Sequence, residues 1–190
     1  MCTSRRQHGI TLIELIVFIV IVSVALAGVL TVLNVTAQSS GDPLVRKQML
    51  AIAEGLLEEV ELRPFTWCDP DDATAATATS ATIGAGACTT TIEGSGPEAG
   101  ETRIGAVTPF DNVNDYAGLA LASPIPSVTG GSFAPAGYSA TIAVAPEALN
   151  GVGDATASSA SLRISVTVTR GADSLTVEGY RTRHSPNLLP

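Results

Sequence analysis

Aromatic side chains are scarce in this chain, with one Trp, three Tyr and four Phe among 190 residues. A ligand pocket walled by aromatic rings is hard to furnish from that stock. Histidine is scarcer still, at two copies. His8 lies near the start and His184 near the end, among Arg181, Arg183 and Pro186. One histidine beside two cysteines completes a zinc set only if those cysteines stay unpaired. No serine stands in a nucleophile-elbow setting, so no catalytic constellation is legible and no enzyme or cofactor is expected. Charged residues make up 15 %, with 18 acids against 10 bases. No Lys/Arg cluster is available to track a phosphate backbone, so nucleic acid is not an expected partner. The glycine-rich stretches Gly84-Ala85-Gly86 and Gly94-Ser95-Gly96 lack the Lys-Ser/Thr tail of a phosphate cradle and read as loops. Alanine, glycine, serine and threonine fill the space left, and 190 residues hold at most one anchor and one modest domain.

What is present is one long apolar run. Between residues 15 and 33 the only polar side chains are Ser23 and Thr31. At a rise of about 1.5 Å per residue, this stretch is nearly long enough to cross a ~30 Å hydrocarbon core. A buried core helix could be equally apolar, but nothing downstream is large enough to enclose one. Arg5 and Arg6 precede the run, which keeps the head cytoplasmic and sends the remainder outward. Val35-Thr36-Ala37 is only a weak match to a signal-peptidase site. Glu14 lies inside the run. A lone carboxylate at mid-bilayer costs roughly 3 kcal/mol and needs a partner; the alternative is that it sits at the interface and reaches water.

Gly9-Ile10-Thr11-Leu12-Ile13-Glu14-Leu15 resembles the N-terminal signal of type IV pilins and their pseudopilin relatives. The resemblance implies that prepilin peptidase cuts between Gly9 and Ile10 on the cytoplasmic side and methylates the new N-terminus. It implies that Glu14 then pairs with the N-terminal ammonium of a neighbouring pilin, which supplies the partner an acid in hydrocarbon requires. Ile10 stands where most members of that family carry phenylalanine. The segments that follow from this reading are a leader over 1–9, a membrane-spanning polymerisation helix over 10–35, an outward amphipathic helix over 36–64 and an exported domain over 65–190. Losing Arg5 and Arg6 with the leader lowers Lys+Arg from 10 to 8 against 18 acids, a formal side-chain charge of −10.

Cys2 would leave with the leader, and Cys68 and Cys88 remain in the exported part. In an oxidising compartment an even pair is expected to form a disulfide, the alternative being two unpaired thiols. A loop of about 20 residues closed this way gains roughly 3 kcal/mol in the chain-entropy picture. Asp42-Pro43 reads as an N-cap followed by proline at the first helical position. Val45, Met49, Ile52, Leu56 and Val60 recur every three or four residues and predict one apolar stripe, ended by Pro64. Residues 65–105 read as irregular, with an alanine/threonine low-complexity run over 73–81 and little there to pack. Tyr138, Ala140, Ile142 and Val144 alternate with small or polar residues. Leu162, Ile164, Val166 and Val168 do so more cleanly, and Gly171-Ala172-Asp173 turns the chain into a return strand from Leu175. The expected fold class is α+β: the long N-terminal helix of a pilin-like chain, with its outer half packed on a three- or four-stranded antiparallel sheet.

Two acidic clusters stand out, Asp69, Asp71 and Asp72 beside Cys68, and Asp111, Asn112, Asn114 and Asp115 in one short stretch. Calcium takes clustered oxygen ligands from loops, which makes Asp111, Asn114 and Asp115 weak calcium candidates. Neither cluster has EF-hand spacing, and the favoured reading is a polar turn whose side chains cap the backbone, with no metal. Glu101-Thr102-Arg103, the stretch from Phe110 to Tyr116, Gly179-Tyr180-Arg181-Thr182-Arg183, Asp42-Pro43 and Leu56-Leu57-Glu58-Glu59 are similar to the MshD minor pilins of mannose-sensitive haemagglutinin (MSHA) type IV pili. That resemblance implies a structural subunit in the inner membrane with its C-terminal domain in the periplasm, passed through an assembly platform into a pilus. The other readings are a minor pseudopilin of a type II secretion system and a membrane-anchored periplasmic binding module.

Overall fold

The computed structural model describes residues 9–39, 42–153, 156 and 159–183. The chain forms two compact units, Met1–Val45 and Arg46–Pro190. The first is dominated by helix α1, Leu12–Ser39. Thr11 sets its start: the hydroxyl accepts the Glu14 amide at 3.3 Å and the carbonyl accepts the Leu15 amide at 3.2 Å. First-turn donors that would otherwise lack partners are thereby met. Within α1 the 23 residues Leu12–Asn34 are long and apolar enough to cross a membrane. Their side chains are exposed around the whole circumference within this unit, Phe18 at 65 % and Val24 at 68 %. Ser23 donates to the Ile19 carbonyl at 2.7 Å and Thr31 to the Ala27 carbonyl at 2.8 Å, so neither hydroxyl asks hydrocarbon for a partner. The helix passes through Thr36-Ala37-Gln38-Ser39; none of these four residues is a helix breaker.

Helix α2, Asp42–Glu61, begins at the expected Asp-Pro pair. Met49, Ile52, Ala53, Leu56 and Val60 are buried along one stripe, as the three-and-four spacing predicts. Each large apolar side chain taken out of water there is worth about 2 kcal/mol. The helix stops at Glu61, before Pro64: the Leu62 amide still reaches the Glu58 carbonyl, but the Arg63 amide bonds Val60 in a tighter turn. Proline at 64 disfavours helical geometry for the residue ahead of it.

The sheet is an antiparallel meander of β1 (Ala120–Leu121), β2 (Ser139–Pro146), β3 (Ser161–Arg170) and β4 (Asp173–Thr182), in that spatial order. Its register puts Ile142 opposite Val166 and Val166 opposite Val177, with Ala140, Val168 and Leu175 in the next row. These rows form the inner face. The outer face carries Thr141, Thr167 and Thr176 in one row and Ser139, Thr169 and Ser174 in another. The hairpin turn is Gly171-Ala172 alone, since Asp173 already pairs with Arg170; Gly171 has φ +61°, a conformation that favours glycine. From Arg46 onward α2 lies on the inner face: a Cβ at Gly179 would fall 3.0 Å from Leu57 Cδ1, the Tyr138 hydroxyl donates to Gln48, and Arg181 donates to the Arg63 carbonyl at 3.2 Å.

Between α2 and β2 the chain is mostly turns and isolated bridges, with one 3-10 helix, Val113–Tyr116. Cys68 and Cys88 form a disulfide, their Cα atoms 5.4 Å apart. Residues 73–81, expected to have little to pack, place Ala75 and Ala78 fully against that disulfide beside Trp67. A methyl group is the right size for the space, which composition alone does not reveal. Arg103 fixes this region to α2. Its Nε and NH2 donate to the two Glu59 oxygens at 2.7 and 2.6 Å, and NH1 donates to the Pro126 carbonyl at 2.6 Å. Tyr116 adds a hydroxyl to Glu59 Oε1 at 2.9 Å. A bidentate pair this buried works because its polar atoms are all engaged.

Candidate functional site

Two places carry chemistry, one in each unit. At the N-terminus, Gly9, Ile10 and Thr11 precede the helix without regular secondary structure, and Gly9 and Ile10 are exposed, Ile10 at 74 %. A protease needs an extended, reachable backbone, and this is where the helix has not yet closed its hydrogen bonds. Glu14 sits in the first turn of α1, exposed, four residues past Ile10. A carboxylate there complements the positive end of the helix. It also lies one turn from the amine that cleavage after Gly9 would create.

The second place is in the irregular part of the second unit, Arg46–Pro190. Three overlapping groups of carboxylates meet there: Asp69, Asp71 and Asp111; Asp69, Glu98 and Glu101; and Glu93, Glu98 and Asp115. Within each group the nearest oxygens lie within 4.8 Å of one another. Asp69 and Glu98 are shared, so seven acids form one continuous set. Asp111 and Asp115 thus come together with Asp69 and Asp71 from the other acidic stretch. Asn114, the third calcium candidate, is outside the set; its backbone carbonyl accepts from Gly96 and Ala117.

The turn-capping reading of the Asp111–Tyr116 stretch describes part of what Asp115 does. Asn112 and Asp115 form a capping box, with Asp115 Oδ2 accepting the Asp111 and Asn112 amides at 2.9 and 2.7 Å. Its other oxygen has no partner, although Asp115 is wholly buried. Both Glu93 oxygens and Asp111 Oδ1 are likewise buried without a partner. Among the described residues none of the seven forms an ion pair. Burial, reinforced by Asp115, pushes the Glu93 carboxyl up to about 10. Burial and the Asp115 charge push Asp111 to about 7, and burial lifts Asp115 to about 6 against its two backbone hydrogen bonds. The Arg183 guanidinium is stacked 3.9 Å over the Phe65 ring and 3.7 Å over Trp67, and its charge acts on Glu93 without bonding it.

Asp72 behaves in the opposite way. Six hydrogen bonds reach its carboxylate, from the amides of Thr74, Thr89, Thr90 and Thr91 and the hydroxyls of Thr74 and Thr90. The Thr74 amide leads in holding its carboxyl far below the usual carboxylate range. Two neighbouring acids therefore have separate tasks: Asp71 belongs to the carboxylate set, and Asp72 is a backbone clamp. The sequence reading missed Glu93, Glu98 and Glu101. The available signal was density: residues 65–118 hold eight acids and a single base, Arg103. His184 lies outside the described residues.

Residues 4–30 match the prokaryotic N-terminal methylation motif. That stretch spans Gly9, Ile10, Glu14 and most of the apolar run, and it supports a place among type IV pilin-like and pseudopilin-like proteins. The motif implies processing by prepilin peptidase and assembly with other pilins. No curated protein and no solved structure is significantly similar to the chain.

Proposed function

We propose that this chain is a minor pilin-like subunit of an MSHA-type pilus, similar to MshD, and that its role is structural. The observation that carries the reading is the methylation motif over residues 4–30 coinciding with a 23-residue apolar span that nothing in its own unit covers. Prepilin peptidase cuts between Gly9 and Ile10 and methylates the amine of Ile10. The uncovered face of α1 is first solvated by the inner membrane, with the exported unit in the periplasm, and then by the helices of other subunits. Transfer from lipid to helix packing leaves Glu14 in apolar surroundings, and the amine of a neighbouring subunit neutralises it. The assembly platform supplies that transfer.

N-terminal analysis of the protein extracted from membranes tests the processing. A methylated chain beginning at Ile10 is the expected result; a chain beginning at Met1 overturns it and favours an anchored periplasmic module. Immunogold labelling of purified fibres tests the placement. Signal on pili supports it, and signal confined to a secretion apparatus assigns the chain to the type II pseudopilins instead.

A further inference from the structure

We propose that the carboxylate set of the exported unit is a calcium site, with Glu93, Glu98 and Asp115 forming its inner position. Three facts carry this. First, the carboxylate oxygens of each triad lie within 4.8 Å of one another, and ligands of a single calcium ion, each about 2.4 Å from it, can be no farther apart than about 4.8 Å. Second, Asp115 is wholly buried with one oxygen lacking any partner, and Glu93 contributes two more such oxygens. A buried acceptor without a donor is costly, and three of them facing one another are a coordination sphere short of its ion. Third, no described Lys or Arg pairs with the set: Arg103 is already bound by Glu59 and Pro126, and Arg183, stacked over Phe65 and Trp67, acts on Glu93 by its charge without a hydrogen bond. The donors are all carboxylate oxygens. Hard oxygen ligands on loops suit calcium, whose geometry is flexible, better than magnesium or zinc.

The remaining acids have assigned places. Asp69 and Glu101 border the inner position through Glu98, and Asp71 and Asp111 close the outer end. Asp115 joins the set to the fold, because its second oxygen caps the 3-10 helix through the Asp111 and Asn112 amides. An ion held here would draw three chain segments together: the disulfide loop, the 93–101 loop and the 3-10 helix.

The test is calorimetric titration and thermal unfolding of the full chain in detergent after chelator treatment, with CaCl2 added at pH 7.5. Binding with a rise in unfolding temperature is expected. Glu93→Gln should weaken calcium at least tenfold without lowering the unfolding temperature of the metal-free protein, since the Glu93 side chain has no hydrogen bond to lose. Glu98→Gln should also weaken it, and Glu54→Gln, on α2 outside the set, should leave it unchanged. No heat and no thermal shift at millimolar calcium, or equal affinity in Glu93→Gln and the parent, overturns the proposal. This outcome is read on the exported unit and is independent of whether the chain is cut after Gly9.

Discussion

The second unit, Arg46–Pro190, contains two kinds of architecture. The α2-and-sheet half is built from repeating spacings and held by apolar burial. The half between α2 and β2 has almost no regular structure and is held by a disulfide, a carboxylate clamp and one buried ion pair. Both halves bury side chains completely: Leu56 and Val166 in one, Tyr116, Asn112 and Asp115 in the other. The difference is in the partner each buried group needs. An apolar side chain accepts any close-packed neighbour, whereas a buried polar group needs a specific donor or acceptor at a set distance. The irregular half should therefore fail abruptly on loss of one group, and the regular half by degrees.

The largest effect is expected where the two halves meet. Arg103→Ala removes the cation paired with Glu59, leaving that carboxylate with only the Tyr116 hydroxyl and the Pro126 carbonyl without its Arg103 donor, and should cost about 3–5 kcal/mol in chemical denaturation. A loss below about 1 kcal/mol would show that the halves are held together by packing alone. Leu56→Ala, in the regular half, should cost about 3 kcal/mol through the cavity it leaves. Replacing both Cys68 and Cys88 by Ser should cost roughly 3 kcal/mol, with the sheet register unchanged by amide exchange.

A pH scan sharpens the contrast further. Glu93, Asp111 and Asp115 have raised carboxyl pKa values, so the folded state keeps protons that the unfolded chain gives up. Their contribution is fully present below the ordinary carboxylate range and is lost as pH rises through about 6 to 10. Asp69, Asp71, Glu98 and Glu101 add to the same carboxylate set, and the stacked Arg183 opposes it through its charge on Glu93. Metal-free protein should thus unfold at a lower temperature at pH 8 than at pH 5, with Glu93→Gln flattening the slope. The smallest effect is expected on the outer sheet face. Thr167→Val removes an exposed hydroxyl contact with Thr176 and should change stability by no more than about 0.5 kcal/mol.

Legibility followed the same division. The stripe on α2 and the alternation in β2, β3 and β4 were readable because side-chain direction repeats with a fixed period. Strand β1 was not, because two residues hold no period. The processing signal was readable as a compact word in the chain. The carboxylate set was not, since Asp69 and Asp115 are 46 positions apart and no spacing rule joins them. The two short acidic clusters stood out separately, but nothing in the chain joined them to each other or to Glu93, Glu98 and Glu101 except the excess of acids over bases. Asp72 illustrates the limit most sharply, because its neighbour Asp71 is chemically identical and differs only in where the chain turns.

The clamp at Asp72 has a consequence for reducing conditions. It gathers amides from Thr74 on one side of the loop and from Thr89, Thr90 and Thr91 on the other, so the sulfur bridge and the carboxylate fasten the same two stretches in parallel. Breaking either alone leaves the other closed. A reductant at neutral pH should open the bridge without releasing the loop to proteases, and acid strong enough to protonate Asp72 should not release it while the bridge is intact. Only the two treatments together would set these residues loose.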